Sequence, residues 1–311
     1  MEAGGLWGES KAQTFSLFGA EALRWTAPFV TVERSAGDPS GKGDFARLAE
    51  AMRAAGLTYP VAAKPDRGYQ GWGVKRVRSD AELIAYIAAL PPKAGLIVQQ
   101  WVPFAGEVGI FYTRRPGAAR GSICSMALTY PPHVVGDGRS TIGELVEEDV
   151  VLRANAALYR LWHATRWDRI LEPGEIFALT TARSARVGAV YRDAAKHITP
   201  ELERRIEAIA QDIDGFRFGR FDIRFENLGK LRRGEGFRIV ELNGAGAEML
   251  HIWDARTRLS RAYRTLWDQY RTLFEIADEN RRRGFRPLSV SQMIRLQIRQ
   301  ERLRQSYPPS R

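Results

Sequence analysis

The sequence has one cysteine, Cys124, and four histidines in 311 residues. A lone cysteine excludes a disulfide scaffold and any thiolate metal cluster, so a reducing cytoplasmic compartment is expected. His133, His163, His197 and His251 show neither HxxxH nor HxH spacing, which argues against a zinc site. No stretch approaches the roughly 20 apolar residues of a membrane-spanning helix. The opening MEAGGLWGESKAQTF has no basic region followed by an apolar run, so no leader is expected. Internal repeats and low-complexity tracts are missing, which excludes solenoids and propellers. So is the Gly-x-Ser-x-Gly elbow of a serine nucleophile. Lysine is scarce, at seven of 47 basic residues. A chain so rich in arginine and alanine explains the net charge of +11 and the pI near 10.0 as well as a polyanionic partner does.

What is present is ample for folding: 44% of the residues are hydrophobic and 27% charged, enough for one large domain or two to three lobes. A helix is expected over residues 10–23, ending before Pro28 and a polar, Gly-rich stretch at 35–43. A second helix over 45–55 stops at Gly56, and a short strand covers 59–63. Asp80 opens a helix that Pro91 and Pro92 close, and 95–102 reads as a buried strand. Strands over 108–114 and 122–129 flank a turn at Pro116 and Gly117. Helices follow over 141–162 and 200–213, which makes the class α+β. The basic tail from Glu279, with Arg281, Arg282 and Arg283, is expected to carry a surface helix from about Val290 and a frayed end.

Two segments carry chemistry. GDPSGKG at 37–43 is not one of them, because it is one residue short between glycines and has Gly43 where a P-loop needs Ser or Thr. In VAAKPDRGYQGWGV, a strand delivers Lys64, and Gly68, Gly71 and Gly73 follow in a loop beside Arg67. Glycines let backbone N–H groups approach an anion, and lysine adds a point charge. In GRFDIRFENLGKLRRGEGFRIVELNGAG, strand alternation puts Phe221, Ile223 and Phe225 on one face and Arg220, Asp222 and Arg224 on the other. The same alternation groups Ile239, Glu241 and Asn243 against Val240 and Leu242 on the next strand of a hairpin. Asp222, Glu241 and Asn243 then offer three hard oxygen ligands beside two arginines, a set suited to Mg2+ with phosphate and water.

With both segments in view, the chain resembles the ATP-grasp superfamily, of the carboxylate–amine ligase type that includes D-alanine–D-alanine ligase, over most of residues 8–275. The resemblance implies ATP and Mg2+ as cofactors and a fold of two α+β lobes clamping ATP. Lys11, in ESKAQTF, corresponds to the first phosphate lysine and Lys64 to the second, with Gly68, Gly71 and Gly73 in the loop over the phosphates. IVQQWVPFAGE resembles the adenine hinge: Gln99 stands where an acidic residue is usual, Gln100, Trp101 and Val102 offer backbone groups, and Glu107 faces the ribose. Asp222, Glu241 and Asn243 match the metal triplet, and Arg220, with Arg224 as a second candidate, the arginine that stabilises the transferred phosphoryl group. HVVGDGRSTIGEL is similar to an element of cyanophycin-synthetase-like ligases, and ELNGAGAEMLHIWDA to a branch that indicates no substrate. An Asn-His pair that this branch carries near positions 184–185 is replaced here by Ser184 and Ala185.

The domains expected are residues 1–44 (N-terminal helix, linker and start of the core), 45–104 (small nucleotide-clamping lobe), 105–278 (catalytic lobe) and 279–311 (basic tail). Ten residues precede Lys11, so most of the family's N-terminal α/β domain is expected to be lacking, with a partner domain or chain in its place. The expected substrates are a small-molecule carboxylate and an amine, joined with release of ADP and phosphate. No membrane partner is expected. Two other readings stay open: a nucleotide-binding protein without ligase activity, and a nucleic-acid binder using residues 281–311. The second is the weaker, since that tail lacks interleaved aromatics.

Overall fold

The computed structural model describes residues 2–6, 8–68, 70–180 and 182–308. Tyr69 of the glycine loop, Thr181 beside Ser184, Trp7 in the opening segment and the last three residues of the tail lie outside the described residues. The chain divides into two compact units, 1–128 with 192–310, and 129–191. The expected boundaries at 44, 104 and 278 do not coincide with that division.

The first unit begins with α1 (Lys11–Phe15), α2 (Ala20–Trp25), β1 (Phe29–Glu33), α3 (Lys42–Ala54), β2 (Val61–Pro65), β3 (Lys75–Val77), α4 (Asp80–Ala89), β4 (Gly95–Gln100), β5 (Gly106–Thr113) and β6 (Ser122–Tyr130). The second holds β7 (His133–Val135), α5 (Ile142–Glu148), α6 (Ala156–Trp162) and β8 (Ile176–Ala178), and β9 (Val190–Asp193) leads back into the first. There follow α7 (Pro200–Gln211), β10 (Phe218–Phe225), α8 (Leu228–Arg232), β11 (Phe237–Asn243), α9 (Leu259–Arg282) and α10 (Val290–Gln305). The class is α+β, as expected. Among the described residues no helix is long and apolar enough to cross a membrane.

Two antiparallel sheets frame the first unit. The smaller has the order β1-β4-β2-β3, and its strands alternate cleanly: Val61, Ala63, Leu96 and Val98 enter a core with Leu48, Met52, Leu83 and Ile87 of α3 and α4. Ala62, Lys64, Ile97 and Gln99 take the other face. The larger, β11-β10-β5-β6-β9, buries Val108, Ile110, Phe221, Ile223 and Phe225 against Leu202, Ile206 and Ile209 of α7. Its opposite face carries Arg220, Asp222 and Arg224, as the alternation predicted. The second unit has its own core of Val134, Ile142, Val146, Leu152, Tyr159, Trp167, Leu171 and Phe177.

Several expected elements are redrawn. The single helix over 10–23 is two, because Gly19 sits against Asp212, which takes the Ala22 N–H at 2.9 Å and caps α2. The helix over 141–162 is also two: Asp149 accepts from Val151 and Leu152 and turns the chain between α5 and α6. The β10–β11 hairpin holds a short helix, α8, capped by Asn227. The GDPSGKG stretch is a helix start: the Asp38 carboxylate accepts from Gly41, Gly43, Asp44 and Ser40, which keeps its pKa down near 2.

Candidate active site

A cavity of about 180 Å³ lies between the open faces of the two sheets. It is lined by Lys11, Lys64, Gly68, Gly71, Gln99, Gln100, Trp101, Val102, Glu107, Arg224 and Glu241. Most residues singled out in the sequence therefore meet in one cleft. Arg220, Asp222 and Asn243 stand beside it on the larger sheet and do not line it. Neither does Gly73; its carbonyl takes the Tyr86 hydroxyl at 2.7 Å and its φ of +73° turns the loop beside Pro65.

Lys11 and Lys64 come together because Asp66, just beyond β2, staples the chain start to that strand. Its carboxylate accepts the Ala12 N–H at 2.8 Å and the Ser10 hydroxyl at 2.9 Å, and its carbonyl accepts the Lys11 N–H at 3.1 Å. The Lys11 Nζ donates to the Gly68 carbonyl at 2.8 Å and pairs with Glu241 at 3.3 Å. The Lys64 Nζ donates to the Val240 carbonyl at 3.0 Å, and burial pulls its pKa down to about 8. Burial works against charge on Glu241, but Lys11 and Lys64 outweigh it and hold the carboxyl below its usual range.

The register of β11 departs from strict alternation. Asp222 pairs with Glu241, yet Ile223 pairs with Ile239, so an extra residue bulges at Val240. Ile239 faces the core and not the face of Glu241 and Asn243, which corrects the grouping drawn from period two. The bulge aims the Val240 carbonyl at Lys64 and returns Glu241 to the cleft. Arg220 and Asn243 are cross-strand partners, and Asn243 donates to Asp222 at 2.8 Å. Arg220 binds Asp222 through Nε at 2.7 Å and Nη2 at 3.2 Å, and its Nη1 reaches the Glu248 carbonyl at 3.1 Å. Asp222, Glu241 and Asn243 thus share one patch of sheet. Arg224 sits further along, paired with Glu107 at 3.0 Å and with the Phe104 carbonyl at 3.3 Å.

Sequence reasoning missed Glu9. Its carboxyl lies near Lys11, Glu241 and the Gly244 backbone, burial pushes its pKa up to about 7, and its Oε2 is buried without a partner. No periodicity marks it, since it precedes the first helix. Among the described residues no three His, Cys, Asp or Glu side chains gather to hold a metal by themselves. The two carboxylates and the amide of Asp222, Glu241 and Asn243 suit a hard cation that brings phosphate and water ligands with it, as Mg2+ does.

The other end of the cleft is nearly neutral. Gln99 is 1% exposed and donates its amide nitrogen to the Ala27 carbonyl at 3.1 Å, leaving its oxygen as acceptor. The Gln100 side chain is spent on Thr58 and Pro60. The backbone N–H groups of Gln100 and Trp101 go to the Pro28 and Pro60 carbonyls, at 2.8 and 3.3 Å. Arg76 stacks over Trp101, 4.7 Å from the ring centre.

A second cavity, of about 560 Å³, opens on the same face of the larger sheet and is lined by Ser125, His251, Arg115, Arg120 and Arg261 among others. Arg220, Phe111 and Ser125 stand side by side on β10, β5 and β6. The cavity floor is therefore two strand spacings, roughly 10 Å, from Arg220.

No protein-family model matches the chain. It is similar to the cyanophycin synthetase of Synechocystis sp., with 28% identity over 250 residues covering 71% of this chain and 27% of that protein. It is also similar to that of Trichormus variabilis, with 29% identity over 217 residues covering 62% and 23%. The chain spans about a quarter of the length of these curated relatives. Among solved structures, a bifunctional glutathione synthetase from Pasteurella multocida aligns with 86% of this chain and 38% of its own at a TM-score of 0.47 and 15% identity. A VanG D-Ala:D-Ser ligase from Enterococcus faecalis aligns with 85% and 62% at 0.44 and 15%. The sequence similarity to these two cyanophycin synthetases agrees with the resemblance read from the residues.

Proposed function

We propose that this chain is a Mg2+- and ATP-dependent ligase that activates a carboxylate as an acyl phosphate and joins it to an amine. One observation carries the reading: a single cleft has Lys11, Lys64 and Glu241 at one end, with Asp222 and Asn243 beside Glu241 on the sheet, and the buried Gln99 at the other. Triphosphate matches the first end and a neutral heterocycle the second. The similarity to cyanophycin synthetases, and the ligase names of the aligned structures, accord with it.

Lys11 and Lys64 hold the phosphates as point charges, and the Gly68–Gly71 loop offers its backbone to them. Asp222, Glu241 and Asn243 would hold Mg2+, which neutralises phosphate charge when bound. The substrate carboxylate oxygen attacks the γ-phosphorus, the bond to the β–γ bridging oxygen breaks, and ADP leaves with the electron pair. Arg220, whose planar fork holds Asp222 in this structure, would turn that fork to the equatorial charge of the transferred phosphoryl group. The amine then attacks the acyl carbon, the C–O bond to phosphate breaks, and the amine proton passes to solvent. Arg224, spent on Glu107, positions that carboxylate for the ribose. We place the acid or its acceptor in the larger cavity, where Arg120 has no ion-pair partner among the described residues, while Arg115 and Arg261 are held by Glu275 and Asp193.

The test is the thermal midpoint with and without MgATP, followed by ADP release over a panel of carboxylates and amines. A Mg2+-dependent rise together with ADP release that needs both substrates is the expected result. A rise with no ADP release for any pair would reduce the protein to a nucleotide binder, and no rise would remove the site.

A further inference from the structure

Helix α9 is packed along one side alone. Gln269, Thr272 and Ile276 are its buried residues. Trp267, Tyr270 and Phe274 each stand two positions before one of them, about 200° around the axis. With Leu259 and Tyr263 they form a stripe that is 72, 66, 74, 52 and 71% exposed from Leu259 to Phe274. Solvated helix faces do not ordinarily carry four aromatic rings in line, and contiguous apolar patches of this kind mark interfaces.

We propose that this stripe is the interface of a two-fold dimer in which α9 lies antiparallel on α9 of a second copy of this chain. Two observations select a second copy. First, the spacing is self-complementary. Reversing the helix about the middle of the stripe sets Leu259 opposite Phe274, Tyr263 opposite Tyr270, and Trp267 beside its own symmetry mate, as an isologous contact requires. Second, the area suffices. Four partly exposed rings and one leucine offer roughly 600 Å² per copy, hence about 1,200 Å² in the pair, the lower bound for a specific interface. Antiparallel helix dipoles add to the preference. Every residue involved lies outside the nucleotide cleft, so the dimer stands or falls independently of the ligase reading.

Sedimentation velocity on the full chain tests it, from low to high micromolar concentration. The expected species has twice the 35.0 kDa monomer mass. Trp267→Asp should weaken the dimer at least about 30-fold, as loss of a central hot-spot aromatic does, with the far-ultraviolet spectrum and thermal midpoint of the monomer unchanged. In a Cys124→Ser background, Trp267→Cys should cross-link to itself on mild oxidation. Leu259→Cys should cross-link to Phe274→Cys, and neither of these two to itself. A monomer throughout the concentration range, a dimer indifferent to Trp267→Asp, or cross-links in another register would each overturn the proposal.

Discussion

Asp222 accepts from Arg220 and Asn243 at once, so its carboxylate is aimed by hydrogen bonds and not by packing. Asp222→Asn therefore removes a ligand charge while sparing the core. The expected cost in stability is about 1 kcal/mol or less. The expected loss in turnover is roughly 10²–10³-fold, and calorimetry should show that MgATP no longer raises the thermal midpoint. Lys64 gives a pH signature. Its folded pKa of about 8 lies below the roughly 10.4 of an unfolded chain. From pH 8 upward the ligand-free cleft loses that cation, so nucleotide affinity should fall between pH 7 and pH 9. The sign for stability is opposite: between those two values the unfolded chain binds the extra proton, and stability rises with pH across the window. Titration calorimetry at pH 7, 8 and 9 reads the first effect. Lys64→Met should flatten it, and an unchanged profile in that variant would assign the dependence elsewhere. At the larger cavity, exposed Arg120→Glu should raise the KM of the acidic substrate and leave the MgATP shift intact.

At the scale of elements, legibility in the sequence followed the strength of local pattern. The strand around Phe221 was plain because period-two alternation persists through it, and the one around Val98 because its apolar run is continuous; the roles of cleft residues on β2, β4 and β5 came from the family resemblance. Strict alternation then misplaced Ile239, because a bulge depends on what lies opposite, here the Lys64 amino group that the Val240 carbonyl accepts. Helix breaks at Gly19 and Asp149 were missed for a similar reason: the group that breaks α2 from α1, Asp212, arrives from nearly two hundred residues away. α9 was passed over entirely, since aromatics on its outer face blur the apolar period. The small lobe hides another long-range pair. Arg34 and Asp44 are buried at 4% and 0% exposure and meet at 3.1 Å. Burial opposes charge on Asp44, but bonds from Ser35, Arg34 and Arg47 outweigh it and hold its pKa low. A depressed carboxylate contributes stability above its unfolded pKa and loses it as pH falls through the folded value, so this lobe should loosen in acid. Asp44→Asn leaves Arg34 buried without its counter-ion, and a loss of about 3–5 kcal/mol in urea unfolding is expected.

Across the whole molecule, the basic C-terminal segment turns out to be tied to the cleft and not merely to follow it. Gln300 of α10 accepts the Gly8 N–H at 2.9 Å, Arg304 stacks 4.8 Å from the centre of the Trp72 ring, and Tyr307 donates to the Arg67 carbonyl at 2.6 Å. Tyr307 also packs over Gly68 and Gly73. These contacts grip both flanks of the loop whose Gly68 carbonyl holds Lys11. A surface helix with few buried residues of its own thus fixes the segment that must approach the phosphates most closely. Each hydrogen bond is worth about 1 kcal/mol and the cation–π contact about 0.5–1 kcal/mol. If half of that sum is expressed as order in the loop, losing the helix weakens MgATP binding about tenfold. Tyr307→Phe tests one tie and a chain ending at Gly284 tests all of them. Amide exchange over residues 67–74 should rise modestly in the first and strongly in the second, with exchange in β2 and β4 unchanged. Equal protection in the shortened chain would mean that the loop is held by Lys11 and Tyr86 alone, and that the tail serves some surface other than the cleft.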